Sequence, residues 1–388
     1  MALPVTVSPH VASWYKYFYT AYTFYLLSIR HNNRGAYETM KEAMTPKERW
    51  LAVLTRTKPD RLPMDYWGTV EATRKLRQHL GCATQWQMFE RLHIDRVVTA
   101  RPEYVGPPLK RGYDMYGMRY RWIEHEGGRY RECISHPLAQ YNTVEEIERN
   151  YTWPTVDWFD YAVVHKQVKG KEKYPLQAGG SEPFLIYKNL RGMEQAYMDL
   201  ALNPELVHYC LDKLFDFCYQ NTVRLYEQLS GQVMLSYVAE DFGGQERLLF
   251  SRKMIREFFL PRMKRMIDLA HSAGVYAFHH SDGAIREIIP DLIDIGIDLL
   301  NPIQWRCKGM DRGELKRDFG DKLVFHGAMD NQQTLPFGTV EDVRREVAEN
   351  IEILGKGGGY ILAPCHNIQV VSPAENIVAM YETALAYQ

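Results

Sequence analysis

From Gly231 to the C-terminus the chain alternates short apolar runs with longer amphipathic ones. The runs "VMLSYVA", "VYAFHH", "IDLLNPI", "KLVFHG" and "GYILAP" are β-branched or aromatic and apolar at consecutive positions. That composition suits strands of a parallel sheet whose two faces are both covered. The stretches between and after them have helical character, among them "SRKMIREFFLPRMKRMIDLAHSAG", "AIREIIPDLIDIG", "DRGELKRDFG", "TVEDVRREVAENIEILG" and "PAENIVAMYETALAY". Ser251 and Thr339 read as N-caps, and Gly274, Gly296, Gly320 and Gly355 fall just past helix ends. The front half adds three candidate strands, "LPMDYW", "IDRVVTA" and "YPLQAGG", with helical stretches such as "TPKERWLAVLTR" around them. Three and five strand–helix units make the eight of an α/β (β/α)8 TIM barrel. "MYGMRYRWIEHEGGRYRECIS" alternates about Gly127-Gly128 and predicts a β-hairpin insertion.

These patterns divide the chain into an N-terminal extension, residues 1–43, and a barrel, residues 44–388. Within the extension, "VASWYKYFYTAYTFYLLSI" is nearly long enough for a membrane span, but Lys16 interrupts it and its Tyr and Trp residues favour an interface. It reads as a soluble extension, with an incorrect start ahead of Met40 or Met44 and a membrane anchor as the other readings. No basic region or small-residue cleavage site marks a secretory signal. Lys and Arg (47) nearly balance Asp and Glu (48), so no basic field favours a nucleic-acid backbone, and a small molecule or a protein is the expected partner. The six cysteines lack CxxC spacing, which argues against a disulfide framework and suits a reducing compartment, the cytoplasm by default.

Active sites of such barrels lie at the C-terminal ends of the strands, so the polar residues just after each apolar run are the candidates. They are Tyr66 and Trp67, Arg101, Ser181 and Glu182, Glu240 and Asp241, His279, His280 and Asp282, Asn301 and Gln304, His326 and Asp330, and Cys365, His366 and Asn367. Alternate residues of an extended strand end face the same way, so His280 and Asp282 are expected to point together into the mouth. They offer one nitrogen and one oxygen to a single ion, with Glu240 or Asp241 and Cys365 or His366 completing a zinc-type set. The plainer reading is that His280 and Asp282 only hydrogen-bond their loop. Cys307 and Cys365 are equally ordinary as core residues. Tyr66, Trp67 and Tyr104 would wall an apolar pocket or pack in the core, and His326 and Asp330 would orient a ligand or satisfy a turn. Gly357-Gly358-Gly359 precedes a strand instead of opening a helix, and reads as a tight turn.

Three longer runs carry a resemblance: "TPKERWLAVLTRTKPDRLPMD", "IPDLIDIGIDLLNPIQ" with "GMDRGELKRDFGDKLVFHG", and "GGGYILAPCHNIQVVSPAENIVAMYE". From about Met44 to Tyr387 the chain resembles the uroporphyrinogen decarboxylase superfamily, which implies a (β/α)8 barrel and one of two chemistries. Decarboxylases of that superfamily carry an R-Q-A-G-R-Y motif near the first strand and an aspartate after F-S on the second; here those stretches read "MDYWGTVEATRKL" and "VVTARPEYVGPPL". Its zinc methyltransferases carry H-x-C-G after the fifth strand and a cysteine after the eighth. The matching positions here are His280-Ser281-Asp282-Gly283 and "APCHNI", with Asp282 in the first cysteine's place and His366 in the second's, beside Cys365.

The resemblance thus implies an enzyme, foremost a Zn(2+)-dependent methyltransferase moving a methyl group from a small methylated oxygen or nitrogen compound to a corrinoid. With no D-x-H-x-x-G signature in the chain, the corrinoid would sit on a separate partner protein. His280, Asp282, Cys365 and His366 are the expected ligands. Glu240, Asp241, His326 and Arg101 are the expected catalytic groups, and Tyr66, Trp67, Asn301, Gln304 and Asp330 the expected substrate contacts. A decarboxylase of uroporphyrinogen or another carboxylated substrate, with Arg101 and His366 as anion-binding or proton-transfer groups, is the alternative. A non-catalytic ligand-binding relative is a third. Pairing into homodimers is a further expectation from the family.

Overall fold

A computed structural model describes residues 42–125 and 128–387. The expected extension therefore lies outside the described residues except at 42 and 43, and so does Gly127 of the hairpin turn. Seven strands form one parallel sheet: β1 (Val98–Thr99), β6 (Leu176–Ser181), β7 (Leu235–Ala239), β8 (Tyr276–His280), β9 (Leu299–Asn301), β10 (Val324–Met329) and β11 (Tyr360–Pro364), neighbours in that order. Two short strands, β2 (Glu103–Tyr104) and β5 (Phe159–Asp160), pair separately. The predicted hairpin is β3 (Arg119–His125) against β4 (Gly128–Ser135).

The expected first strand is reduced to bridges, yet it closes the ring. Leu362 N–H donates to Pro63 O (3.0 Å), Asp65 N–H to Leu362 O (2.8 Å), and Asp95 N–H to Met64 O (2.7 Å). The Pro63–Asp65 segment is thus bonded to β11 on one side and to the approach to β1 on the other. Seven strands and this segment give a TIM-type barrel. Strand alternation then sorts the side chains. Phe278 and His280 of β8 face the interior, while Ala277 and His279 face the helices.

The helix Pro46–Leu54 plugs the floor. A capping box between Thr45 and Glu48 starts it, and Pro46 occupies its first turn, where no N–H is needed. Its fully buried Trp50 packs with Leu235, Leu299 and Val324, the first residues of β7, β9 and β10. The helix is held by charge as well. Arg49 donates to Asp60 (2.6 Å) and Asp95 (2.5 Å), and Arg61 donates to Asp95 (2.7 Å), with Asp95 fully buried. At the β6–β7 edge, Gly180 (φ +117°) lies so close to Tyr237 that a Cβ would sit 1.9 Å from its carbonyl oxygen, so only glycine lets the two backbones approach there. Among the described residues no helix is long and apolar enough to cross a membrane.

Candidate metal centre at the barrel mouth

His280 ends β8, its ring stacked with those of Trp67 (5.7 Å, 27°) and Tyr237 (5.9 Å, 29°). A chain of hydrogen bonds beneath it decides which nitrogen is free. Asn301 Nδ2 can only donate, and it does so to His326 Nδ1 (2.7 Å). The His326 proton therefore sits on Nε2, 3.2 Å from the Asp65 carboxylate. The other end of the Asn301 amide accepts from His280 Nδ1 at 2.6 Å. What remains is the His280 Nε2 lone pair, aimed at the mouth, 3.8 Å from Asp241 and 3.9 Å from Asp282. A hydrogen bond at one ring nitrogen is what fixes the other as a ligand.

His280, Asp282 and His366 each offer a ligand atom, and these atoms lie within 4.8 Å of one another. Asp282 is steadied by Gln304, whose amide donates to it (3.0 Å) and accepts from Gly283 N–H (2.6 Å). Asp241 accepts from Asp282 N–H at 3.2 Å. Two imidazoles and one or two carboxylates make a hard, oxygen- and nitrogen-rich donor set that fits a divalent ion of the zinc class.

Other expected residues are placed differently. Cys365 is buried and its Sγ donates to Ile303 O (3.3 Å); burial pushes its thiol well above the usual range, so it stands outside the triad. Glu240 accepts from Phe184 N–H (3.0 Å), and burial raises its carboxyl well above normal. Asn301 is fully buried and bonded to two histidines, and Gln304 is bonded to Asp282 while also lining a cavity at the mouth. Tyr66 turns its hydroxyl to Thr73 and its ring to Phe89. Tyr104 lies on β2, bonded to Pro107 O. Asp330 pairs with Arg306 (2.6 Å) and accepts from Thr334 N–H (3.1 Å). His326 is deep, its ring 5.7 Å from that of Trp50, and acts through Asn301.

Sequence reasoning passed over Asp65, and gave no role to Glu182 although it stood among the strand-end candidates. Asp65 anchors the chain of hydrogen bonds, accepting from Trp67 Nε1 (2.9 Å) and Tyr66 N–H (2.8 Å) as well as facing His326. Its place on the first apolar run was the available signal. Glu182, at the tip of β6, is pushed up to about 7 by burial and by the charge of Asp241, so it holds a proton near neutrality. A carboxylate at a strand tip was visible, but its burial was not.

His279 faces away and donates Nδ1–H to Val238 O (2.8 Å); burial, partly offset by that bond, lowers it to about 4. The folded state therefore resists the proton that the unfolded chain accepts below about pH 6.5. Stability is fully present above that pH and falls as the pH drops toward 4. Between pH 7.5 and 4.5 this costs on the order of 2 to 3 kcal/mol, and urea unfolding of His279→Leu should show a shallower loss by that amount than the parent protein.

Two cavities open at the mouth. One, of about 260 Å³, is lined by Asp282, His366, Cys365, Gln304 and Arg306; the other, of about 450 Å³, by Trp67, Tyr237, Phe278, Arg96 and Arg101, with Asn367 common to both.

A family model described as "Uroporphyrinogen decarboxylase (URO-D)" matches residues 45–387. A uroporphyrinogen decarboxylase of Psychromonas ingrahamii is 24% identical over 325 residues, covering 79% of this chain and 84% of its own. That of Shewanella halifaxensis is 23% identical over 362 residues, covering 84% and 93%. A methyltransferase from Methanosarcina mazei has a similar fold, with a TM-score of 0.64, 17% identity, and coverage of 89% of this chain and 99% of that one.

Proposed function

Starting from the fact that the chain belongs to the uroporphyrinogen decarboxylase family, we propose that it is a metal-dependent methyltransferase that passes a methyl group from a small methylated oxygen compound to a corrinoid on a separate protein. The observation that carries this reading is the convergence of His280, Asp282 and His366, with His280 Nε2 left free by Asn301. These three residues would hold the ion, with Asp241 beside them. A divalent ion bound there supplies Lewis acidity toward a substrate oxygen, so that the attached methyl group becomes open to a nucleophile. Gln304 keeps the Asp282 carboxylate turned to the site. Trp67 and Tyr237 stack with the His280 ring and hold its orientation. The Glu182 carboxyl retains its proton near pH 7 and can deliver it to an oxygen that gains charge as the methyl leaves. The hard donor set favours oxygen-bound methyl groups over thioethers.

The names of the curated relatives favour a second reading, decarboxylation of a carboxylated substrate with Arg101 and His366 as binding or proton-transfer groups. One pair of measurements separates the two. Protein purified without an affinity tag is expected to carry close to one equivalent of zinc-class metal by elemental analysis, and to methylate free cob(I)alamin from an O-methyl donor, read in the visible spectrum. Metal-free protein that instead releases carbon dioxide from a porphyrinogen would replace the first reading with the second.

A further inference from the structure

The larger cavity has both charged and aromatic residues in its lining. Arg96 and Arg101 both line it, together with Gln85 and Gln177. Neither guanidinium has an ion pair or a hydrogen bond to a carboxylate among the described residues. Arg96 lies over the Phe89 ring (4.8 Å), and Arg101 is tied to Gln167 through its backbone alone. A solvated arginine is ordinary. Two that share one concavity with no carboxylate in contact are less so, because bringing like charges together costs energy unless an anion joins them. The one carboxylate lining the cavity, Asp65, feels the charge of Arg96 but is bonded to His326, Trp67 and Tyr66, so it does not reach either guanidinium. Trp67, Tyr237 and Phe278 line the same cavity, and Trp67 and Tyr237 are the rings that stack with His280.

We propose that Arg96 and Arg101 form an anion subsite, and that the substrate is a small aromatic acid whose charged end lies between them while its ring packs against Trp67 and Tyr237. The inference rests on the methyltransferase reading only for the word substrate; the subsite is defined by binding alone. A planar acid placed this way packs on the two rings that also stack with His280. Arginine is suited to this because its fork donates two parallel hydrogen bonds to a carboxylate or a phosphate.

Binding is tested without turnover, by titrating the intact protein with 4-methoxybenzoate, the uncharged 4-methoxybenzamide and phenyl phosphate, read by calorimetry and by quenching of tryptophan fluorescence. The acid is expected to bind at least about tenfold more tightly than the amide, and Arg96→Gln and Arg101→Gln should each remove most of that preference. Arg101 is exposed, so its variant folds regardless, and Arg96→Lys tests charge while retaining a cation. A tighter phenyl phosphate than benzoate would assign the subsite to phosphate esters. Equal affinity for acid and amide, no binding of any probe, or unchanged preference in both glutamine variants overturns the subsite. Because no methyl transfer is measured, a failure here leaves the metal reading standing, and a protein without metal that keeps the charge preference leaves the subsite standing.

Discussion

Replacing His280 with alanine is expected to strip stoichiometric metal from the purified protein while leaving its circular dichroism unchanged. His280 is the one triad member whose ligand nitrogen is set by a buried chain of hydrogen bonds, from Asp65 through His326 and Asn301. Structural zinc sites gain roughly 10 to 16 kcal/mol from all their ligands together, so one lost imidazole should weaken binding by on the order of 10²- to 10³-fold. His280→Phe is the sharper variant, because it preserves the stack with Trp67 and Tyr237 and removes only the nitrogens. Asp282→Ala should behave likewise. Full metal content in both His280→Phe and Asp282→Ala would remove the site, and the methyl-transfer reading with it.

The largest effect on stability is expected at Asp95, far from the mouth. This carboxylate accepts from Arg49, from both terminal nitrogens of Arg61, and from Met64 N–H (3.0 Å). Truncation to alanine removes the buried carboxylate that Arg49 and Arg61 share, and frees the Met64 amide next to the segment that closes the barrel. Breaking a buried pair from one side costs about 3 to 5 kcal/mol, a large part of the 5 to 15 kcal/mol that holds a typical domain together. Urea unfolding of Asp95→Ala should show a loss of that size, and Asp95→Asn a smaller one, since the amide can still accept. A change under about 1 kcal/mol would mean that this ion cluster is not what secures the floor.

What the sequence disclosed follows from which forces act locally. Seven of the eight strands appear where apolar runs predict them, because a strand covered on both faces needs such residues in succession. The first run, "LPMDYW", makes only bridges. Its pairing partners, Leu362 and Asp95, lie elsewhere in the chain, and no local pattern reveals how much ladder they allow. The pairing of His280 with Asp282 was legible from the two-residue period of a strand end. The resemblance put His366 in a ligand's place, but the local pattern left it open against Cys365, since one residue of rotation at the end of β11 separates the mouth from Ile303 O. Likewise, composition cannot tell an asparagine that touches substrate from one that orients a histidine. Asn301 is the second kind because it has a histidine on either side. The burial that raises Glu182 is also tertiary, produced by elements distant in sequence.

Trp50 has one more consequence. Its indole N–H is bonded to Asp95 O (2.9 Å) and its ring abuts that of His326, so the first helix supports the innermost histidine directly. Hydrogen exchange in Val324–Met329 should thus open with the Pro46–Leu54 turn as a single foldon, not as an independent lip of the barrel. A shortened chain beginning at Thr55 would forfeit chemistry along with its floor, whatever the mouth residues retain in sequence.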